Sequence, residues 1–168
     1  ARNRRAVGGE NGTAEMSAPI VKAEMLIRKP VSEVFNAFVD PAVTTNFWFS
    51  KSSGKLEAGK RVRWEWEMYG VSDEIDVKSI EADERNVFEW SFPKSNLVEM
   101  RFKPHAKGTI VSITNSGLRG DDVIAEALDL TQGWNLVLAA AKAWLEHGIN
   151  LNIVADKAPD HNIKGCEK

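Results

Sequence analysis

The side chains that could carry acid–base, metal or nucleophilic chemistry in this chain are three histidines, one cysteine and a set of dispersed carboxylates. His105 falls in a loop bounded by Pro104 and Gly108, His147 in the last turn of a long helical segment where a cation is favoured, and His161 in a polar tail. Their spacings match no metal site, and Cys166 alone cannot complete a thiolate cluster. There is no Gly-x-Ser-x-Gly nucleophile motif and no phosphate-binding glycine loop. Glu65 and Arg101 could meet across strands, but strand parity puts both on a charged face, where a solvated salt bridge is the default. No catalytic residue, no metal site and no cofactor is therefore expected.

The aromatic pattern is stronger. Val62, Trp64, Trp66 and Met68 alternate with Arg61, Arg63, Glu65 and Glu67, so one face of that strand is apolar and the other charged. Trp134, Leu138, Ala141 and Leu145 recur at helical spacing and form one apolar stripe that must lie against something. A long C-terminal helix closing over a Trp-bearing sheet either packs solid or encloses a cavity. Each buried aromatic removes roughly 150–250 Å² from water, worth about 4–6 kcal/mol as an upper figure, which favours a filled core. The functional counterpart is a pocket of roughly 300–1,000 Å³ walled by Trp48, Trp64, Trp66, Trp90, Met100, Phe102, Trp134 and Leu138, holding a small hydrophobic or amphipathic molecule. Asp73, Ser112, Thr114 and Asn135 are the polar groups that could orient such a ligand, with loops near Trp48 and at residues 117–120 as gates.

These side chains need elements to hold them. Residues 20–28 alternate as a first strand, Pro30 opens a helix carrying Val31, Val34, Phe35 and Phe38, and Asp40 followed by Pro41 caps a second, carrying Val43 and Phe47. Short strands follow at 55–57, 61–68, 74–79, 87–92, 98–103 and 109–114, with a hairpin loop at 104–108. The last strand is β-branched at almost every position and reads as buried on both faces. Asp121 and Asp122 begin the long helix at its positive dipole end. Strand, two helices, a run of strands with hairpin turns and a final helix imply an α+β fold.

With 168 residues the chain can build one ordinary domain. Its 22 basic and 24 acidic residues leave no basic face for nucleic acid, and no apolar run reaches membrane-span length. Residues 1–18, rich in Gly, Asn and Arg, read as a disordered segment in which Met16 is a candidate natural start. The polar residues 149–168, including a tail thiol at Cys166, read as mostly flexible. With one cysteine and no signal-peptide core, a cytoplasmic protein is expected.

Ile27-Arg28-Lys29-Pro30-Val31-Ser32-Glu33-Val34-Phe35, then Asp40-Pro41 with Asn46-Phe47-Trp48-Phe49, then Gly133-Trp134 with Leu138 and Trp144-Leu145, resemble the START-like (SRPBCC) superfamily. Within it they are most similar to bacterial homologues of the activator of the 90-kDa heat-shock protein ATPase. Only the turn Ala58-Gly59-Lys60 departs, where the family usually pairs glycines. The resemblance spans roughly residues 19–148 and implies a helix-grip fold: a curved antiparallel sheet of about six or seven strands wrapped around the C-terminal helix. It also implies a hydrophobic cavity between helix and sheet. The alternatives it brings are a chaperone-associated stress-response partner, acting through the charged sheet face, and a cyclase- or aromatase-like enzyme. A monomer or weak dimer is expected.

Overall fold

The computed structural model describes residues 17–90 and 95–164. The elements run β1 (Val21–Ile27), α1 (Val31–Val39), α2 (Pro41–Thr44), β2 (Lys51–Ser52), β3 (Arg61–Trp66), β4 (Val71–Glu81), β5 (Arg85–Trp90), β6 (Asn96–His105), β7 (Gly108–Ser116), α3 (Val123–His147) and α4 (Ile153–Asp156). All seven strands join one antiparallel sheet in the order β1-β7-β6-β5-β4-β3-β2. A register shift between Val77 and Ser79 marks a bulge in β4, a device that bends a sheet. Together with α3 across its concave side, this is the helix-grip α+β fold that the pattern predicts.

Local chemistry explains the joints. The Asp40 carboxylate accepts a hydrogen bond from the Ala42 amide at 3.0 Å and so caps α2, whose first residue is Pro41. The Lys55 ammonium, 2.8 Å away, and that amide hold the Asp40 carboxyl below its usual range. Gly108 (φ 141°) packs so tightly on β1 that a Cβ would lie 2.2 Å from the Ile27 carbonyl. Glycine is therefore required there. Gly148 ends α3 in the left-handed conformation, its amide donating to the Trp144 carbonyl at 2.8 Å. At the same end Glu146, with its side chain only 7% exposed, accepts from the Arg28 amide (3.0 Å) and from Lys142 (2.7 Å). Lys142 in turn donates to the Leu26 carbonyl at 2.8 Å, which latches α3 to β1.

Several expected boundaries move. Residues 55–57 form no strand; the Leu56 amide donates to the Val39 carbonyl of α1 instead, and the edge strand is Lys51–Ser52. The Trp-bearing strand stops at Trp66, because Glu67–Tyr69 wind into a 3₁₀ turn closed by Gly70, so Met68 leaves the sheet. The second helix ends at Thr44, before Phe47, which is buried from a turn. The 104–108 loop shrinks to Ala106 and Lys107, with Pro104 and His105 still paired to β7. In β7, Thr109, Val111, Ile113 and Asn115 are buried and their neighbours only half-buried, so one face is interior. Position 92, most of the N-terminal segment and Cys166 lie outside the described residues.

The tail expected to be mostly flexible has a defined seat through residue 164. The Tyr69 hydroxyl donates to the Val154 and Ala155 carbonyls, the latter at 3.1 Å, and the Ile163 amide donates to the Met68 carbonyl at 2.8 Å. Ile153 and Val154 pack against the core.

Candidate functional site

Cross-strand partners share a face, and this sorts the inner side of the sheet into two ends. At the α1 end Phe35 and Phe38 meet Phe102 with ring centroids 5.1 and 5.8 Å apart, over Val111 and Ile27. That end is solid. Toward the other, the inward positions become Asp73, opposite Trp64, then Asn96, opposite Trp90, and Asn115, opposite Val98. Polar groups there cannot pack as an apolar core does, and α3 follows the division. Its buried residues begin at Trp134, whereas Ile124 and Leu128 on its first turns are 53% and 68% exposed.

Between the overhanging first half of α3 and this end of the sheet runs a cleft of about 700 Å³. Trp48, Trp66, Trp90 and Trp134 form its inner wall, Glu126, Asp129, Leu130 and Gly133 line it from α3, and Ile153, Val154, Lys157 and His161 close it from the tail. The indoles brace one another: Trp48 to Trp134 at 5.3 Å, Trp90 to Trp134 at 6.3 Å, and Trp66 stacked on Trp90 at 6.1 Å with planes 23° apart. The N–H groups of two of them are occupied. Trp134 Nε1 donates to Asn115 Oδ1 at 3.2 Å, while Asn115 Nδ2 donates to Asn96 Oδ1 at 2.7 Å and to the Leu97 carbonyl at 3.2 Å. Trp90 Nε1 donates to Asp73 Oδ2 at 2.9 Å. Neither N–H is therefore free to donate to whatever enters.

Of the eight residues expected to line a pocket, Trp48, Trp66, Trp90 and Trp134 do so. Trp64, Met100, Phe102 and Leu138 do not: they are buried in the packed core, with Trp64, 1% exposed, stacked on Phe49 at 4.7 Å. Among the polar candidates only Asp73 reaches the cleft. Ser112 bonds Glu24 on the outer face, Asn135 turns back to the Thr131 carbonyl, and Thr114 lies on the outward parity of β7. Residues 117–120 do not border the cleft, so the expected gate there is absent and the tail stands at its mouth instead. Glu65 and Arg101 are on strands separated by two others and pair with Arg63 and Glu99.

Sequence reasoning misses Tyr69, Asn96, Asn115, Glu126, Asp129, Lys157 and His161. The asparagines flank strands, where Asn reads as turn chemistry, but Asn115 sits on the same parity as Val111 and Ile113, a signal that parity carries. Burial pushes the Tyr69 phenol above its ordinary value, against a backbone hydrogen bond at Ala158, and the nearby Asp156 charge adds to the rise. It is a neutral donor committed to the tail, not a base. The carboxyls held below their usual range, Asp40, Glu89, Glu99 and Glu146, all lie away from the cleft. For Glu99, burial alone would raise the value, but hydrogen bonds from Arg101 and Arg85 outweigh it. Among the described residues no three His, Cys, Asp or Glu side chains group as metal ligands, and no helix is long and apolar enough to cross a membrane.

The model of the family described as "Activator of Hsp90 ATPase homolog 1-like protein" matches residues 28–146. Protein SSP2350 from Staphylococcus saprophyticus is 29% identical, with a TM-score of 0.72 over 79% of this chain and 96% of that one. DynU16, from the dynemicin biosynthetic locus, is 24% identical with a TM-score of 0.70 over 78% of this chain and 48% of its own. The Aha1 dimer from Colwellia psychrerythraea is 15% identical with a TM-score of 0.68 over 77% of this chain and 98% of that one. The last two likenesses concern the fold alone. No curated protein matches the sequence.

Proposed function

The chain belongs to the family of Activator of Hsp90 ATPase homolog 1-like proteins, and from that premise we propose that it is a non-enzymatic binding domain for a small hydrophobic or amphipathic molecule held between α3 and the sheet. The observation that carries this reading is the cleft of about 700 Å³ walled by four indoles, in the size range of small-molecule sites. Its position, at the end of the sheet where Asp73, Asn96 and Asn115 interrupt the apolar face, supplies a few fixed polar groups beside a large apolar wall. The matched family segment ends at residue 146, and the tail residues that complete the outer wall lie beyond it. In this reading the protein acts in the cytoplasm as a monomer or weak dimer.

Chaperone association is the second reading, favoured by the family match. The charged outer face gives it less support, because its charges are already paired: Arg61 with Asp76 at 2.9 Å, Lys78 with Glu89 at 3.2 Å, Arg85 and Arg101 with Glu99 at 2.7 Å each. A cyclase-like enzyme draws less support: Tyr69 is engaged with the tail, and Asp73, Glu126 and His161, which line the cleft from three different elements, share no hydrogen bond with one another among the described residues.

Titration of tryptophan fluorescence with fatty acids, flavonoids and sterols tests the binding reading. A saturable response that Trp66→Ala weakens at least about tenfold is expected, since Trp66 stacks on Trp90 at the wall. No saturable response with any of them, together with a Trp66→Ala protein that behaves identically, would overturn it.

A further inference from the structure

Resting on the binding reading, we infer that the cleft selects a cationic amphiphile, an organic amine or quaternary ammonium group carrying an apolar body, over neutral and anionic molecules of the same shape. Among the described residues, the carboxylates bordering the cleft are Asp73, Glu126 and Asp129, against Lys157 and the imidazole of His161. Lys157 is 3.5 Å from Asp129, so that pair neutralises itself. Asp73 and Glu126 remain, both half-buried, and neither has a cationic partner among the described residues. Asp73 occupies an inward position of β4, in line with Ile75 and Val77, where an apolar side chain would pack without cost. Taking a carboxylate partly out of water without a counter-charge is unfavourable, and a bound ammonium group removes that penalty.

The geometry around Asp73 suits such a guest. Its Oδ2 is held by Trp90 Nε1 at 2.9 Å, which fixes the carboxylate against the indole wall and leaves Oδ1 as an acceptor. Glu126 stands in the first turn of α3, at the positive end of the helix dipole. Trp66, Trp90 and Trp134 line the same cleft, the last two with their N–H groups engaged, and the face of an aromatic ring carries the negative centre of its quadrupole. Aromatic faces and uncompensated carboxylates both attract a cation, and the aromatic contribution survives even for a quaternary group that cannot donate a hydrogen bond. A fatty-acid carboxylate would meet the opposite field, with the already paired Lys157 and the His161 imidazole as the basic groups on the lining.

The test is a comparison of decyltrimethylammonium, decanol and decanoate, below their aggregation limits, by quenching of tryptophan fluorescence and by calorimetry at two salt concentrations. The cationic probe is expected to bind at least about tenfold tighter than decanol, with decanoate weakest, and to weaken as salt rises. Glu126→Gln and Asp73→Asn, the latter retaining an oxygen acceptor for Trp90, are expected to bring the cation-to-neutral affinity ratio toward one. Their circular dichroism and unfolding midpoints, matched to the parent, exclude misfolding as the cause. Equal binding of all three probes, or a ratio untouched in both variants, overturns the charge selection and leaves the binding reading standing. Binding of none of them overturns the charge selection, while the binding reading falls only if the fatty-acid, flavonoid and sterol titration fails as well.

Discussion

Trp134→Phe separates the indole's hydrogen bond from its bulk at the point where α3 meets the sheet. Trp134 Nε1 is the donor that satisfies Asn115 Oδ1, and Asn115 is itself 1% exposed. Phenyl cannot replace that donor. Leaving a buried amide oxygen without a partner costs about 1–3 kcal/mol. The smaller ring also gives up about 50 Å² of buried aromatic surface, roughly 1 kcal/mol. The sum is near 3 kcal/mol, which for a chain of this length corresponds to a fall in Tm of about 6–12 °C. Urea unfolding followed by far-ultraviolet circular dichroism measures it without relying on the altered fluorophore. Asn115→Ala alone and combined with Trp134→Phe completes a double-mutant cycle, in which a coupling of about 1–2 kcal/mol is expected. If Trp134→Phe unfolds within about 0.5 kcal/mol of the parent and the coupling is zero, the Trp134–Asn115–Asn96 chain does not tie the helix to the sheet, and the account of how the cleft is framed fails.

Glu146→Gln is expected to destabilise the protein by about 1–2 kcal/mol at neutral pH, through loss of charged hydrogen bonds to Lys142 and the Arg28 amide. Burial alone would raise the Glu146 carboxyl, but hydrogen bonds from Lys142 and the Arg28 amide outweigh it, so the folded value lies below the ordinary 4.5. The stabilisation is therefore complete above the unfolded value and lost as the pH falls through the folded one. The gap between parent and variant in urea unfolding should close on acidification below that range; a gap constant from neutral to strongly acid solution would refute it. Tyr69→Phe deletes the hydroxyl that donates to the Val154 and Ala155 carbonyls. Hydrogen exchange across residues 149–164 should accelerate about fivefold, the factor for a bond worth about 1 kcal/mol, while β6 and β7 stay protected. Unchanged exchange in the tail would show that the phenol does not hold it.

Periodicity reaches most of the fold because each major element buries one face. Arg61 to Trp66, Val31 to Phe38 and Trp134 to Leu145 can each be assigned from alternation or helical spacing alone, and the structure has them in those roles. Parity, however, tells which face a residue is on and nothing about how far along the element the solid packing extends. Met100 and Phe102 share the inward face with Asn96, yet they lie toward the end filled by α1, while Asn96 lies at the cleft. Leu138 likewise sits one turn past Trp134, beneath the closed half of α3. Asn86 illustrates the same limit: it stands inward on β5, 0% exposed, with no hydrogen-bond partner for its amide among the described residues, a placement no propensity would assign. In the tail, composition does not point to the contacts of Ile153 and Val154 with the core or to the hydrogen bond from the Ile163 amide to the Met68 carbonyl.

The cleft follows from a substitution of side-chain type at matched positions across three strands, not from any special loop. An interior-facing carboxylate at Asp73 and amides at Asn96 and Asn115 cannot be covered by an apolar helix face without partners. The chain meets this by supplying indole N–H groups to Asp73 and Asn115, which ties Trp90 and Trp134 to the polar end of the sheet. Gly133, with nothing within 4 Å of where a Cβ would stand, leaves the helix surface bare just before Trp134. Gly133 lines the cleft beside Trp134, and Ile153 and Val154 of the tail border it from the other side. Polarity inside the grip, aromatic donors that satisfy it and a bare turn of helix are a single arrangement, and each would lose its purpose if the cleft were packed shut.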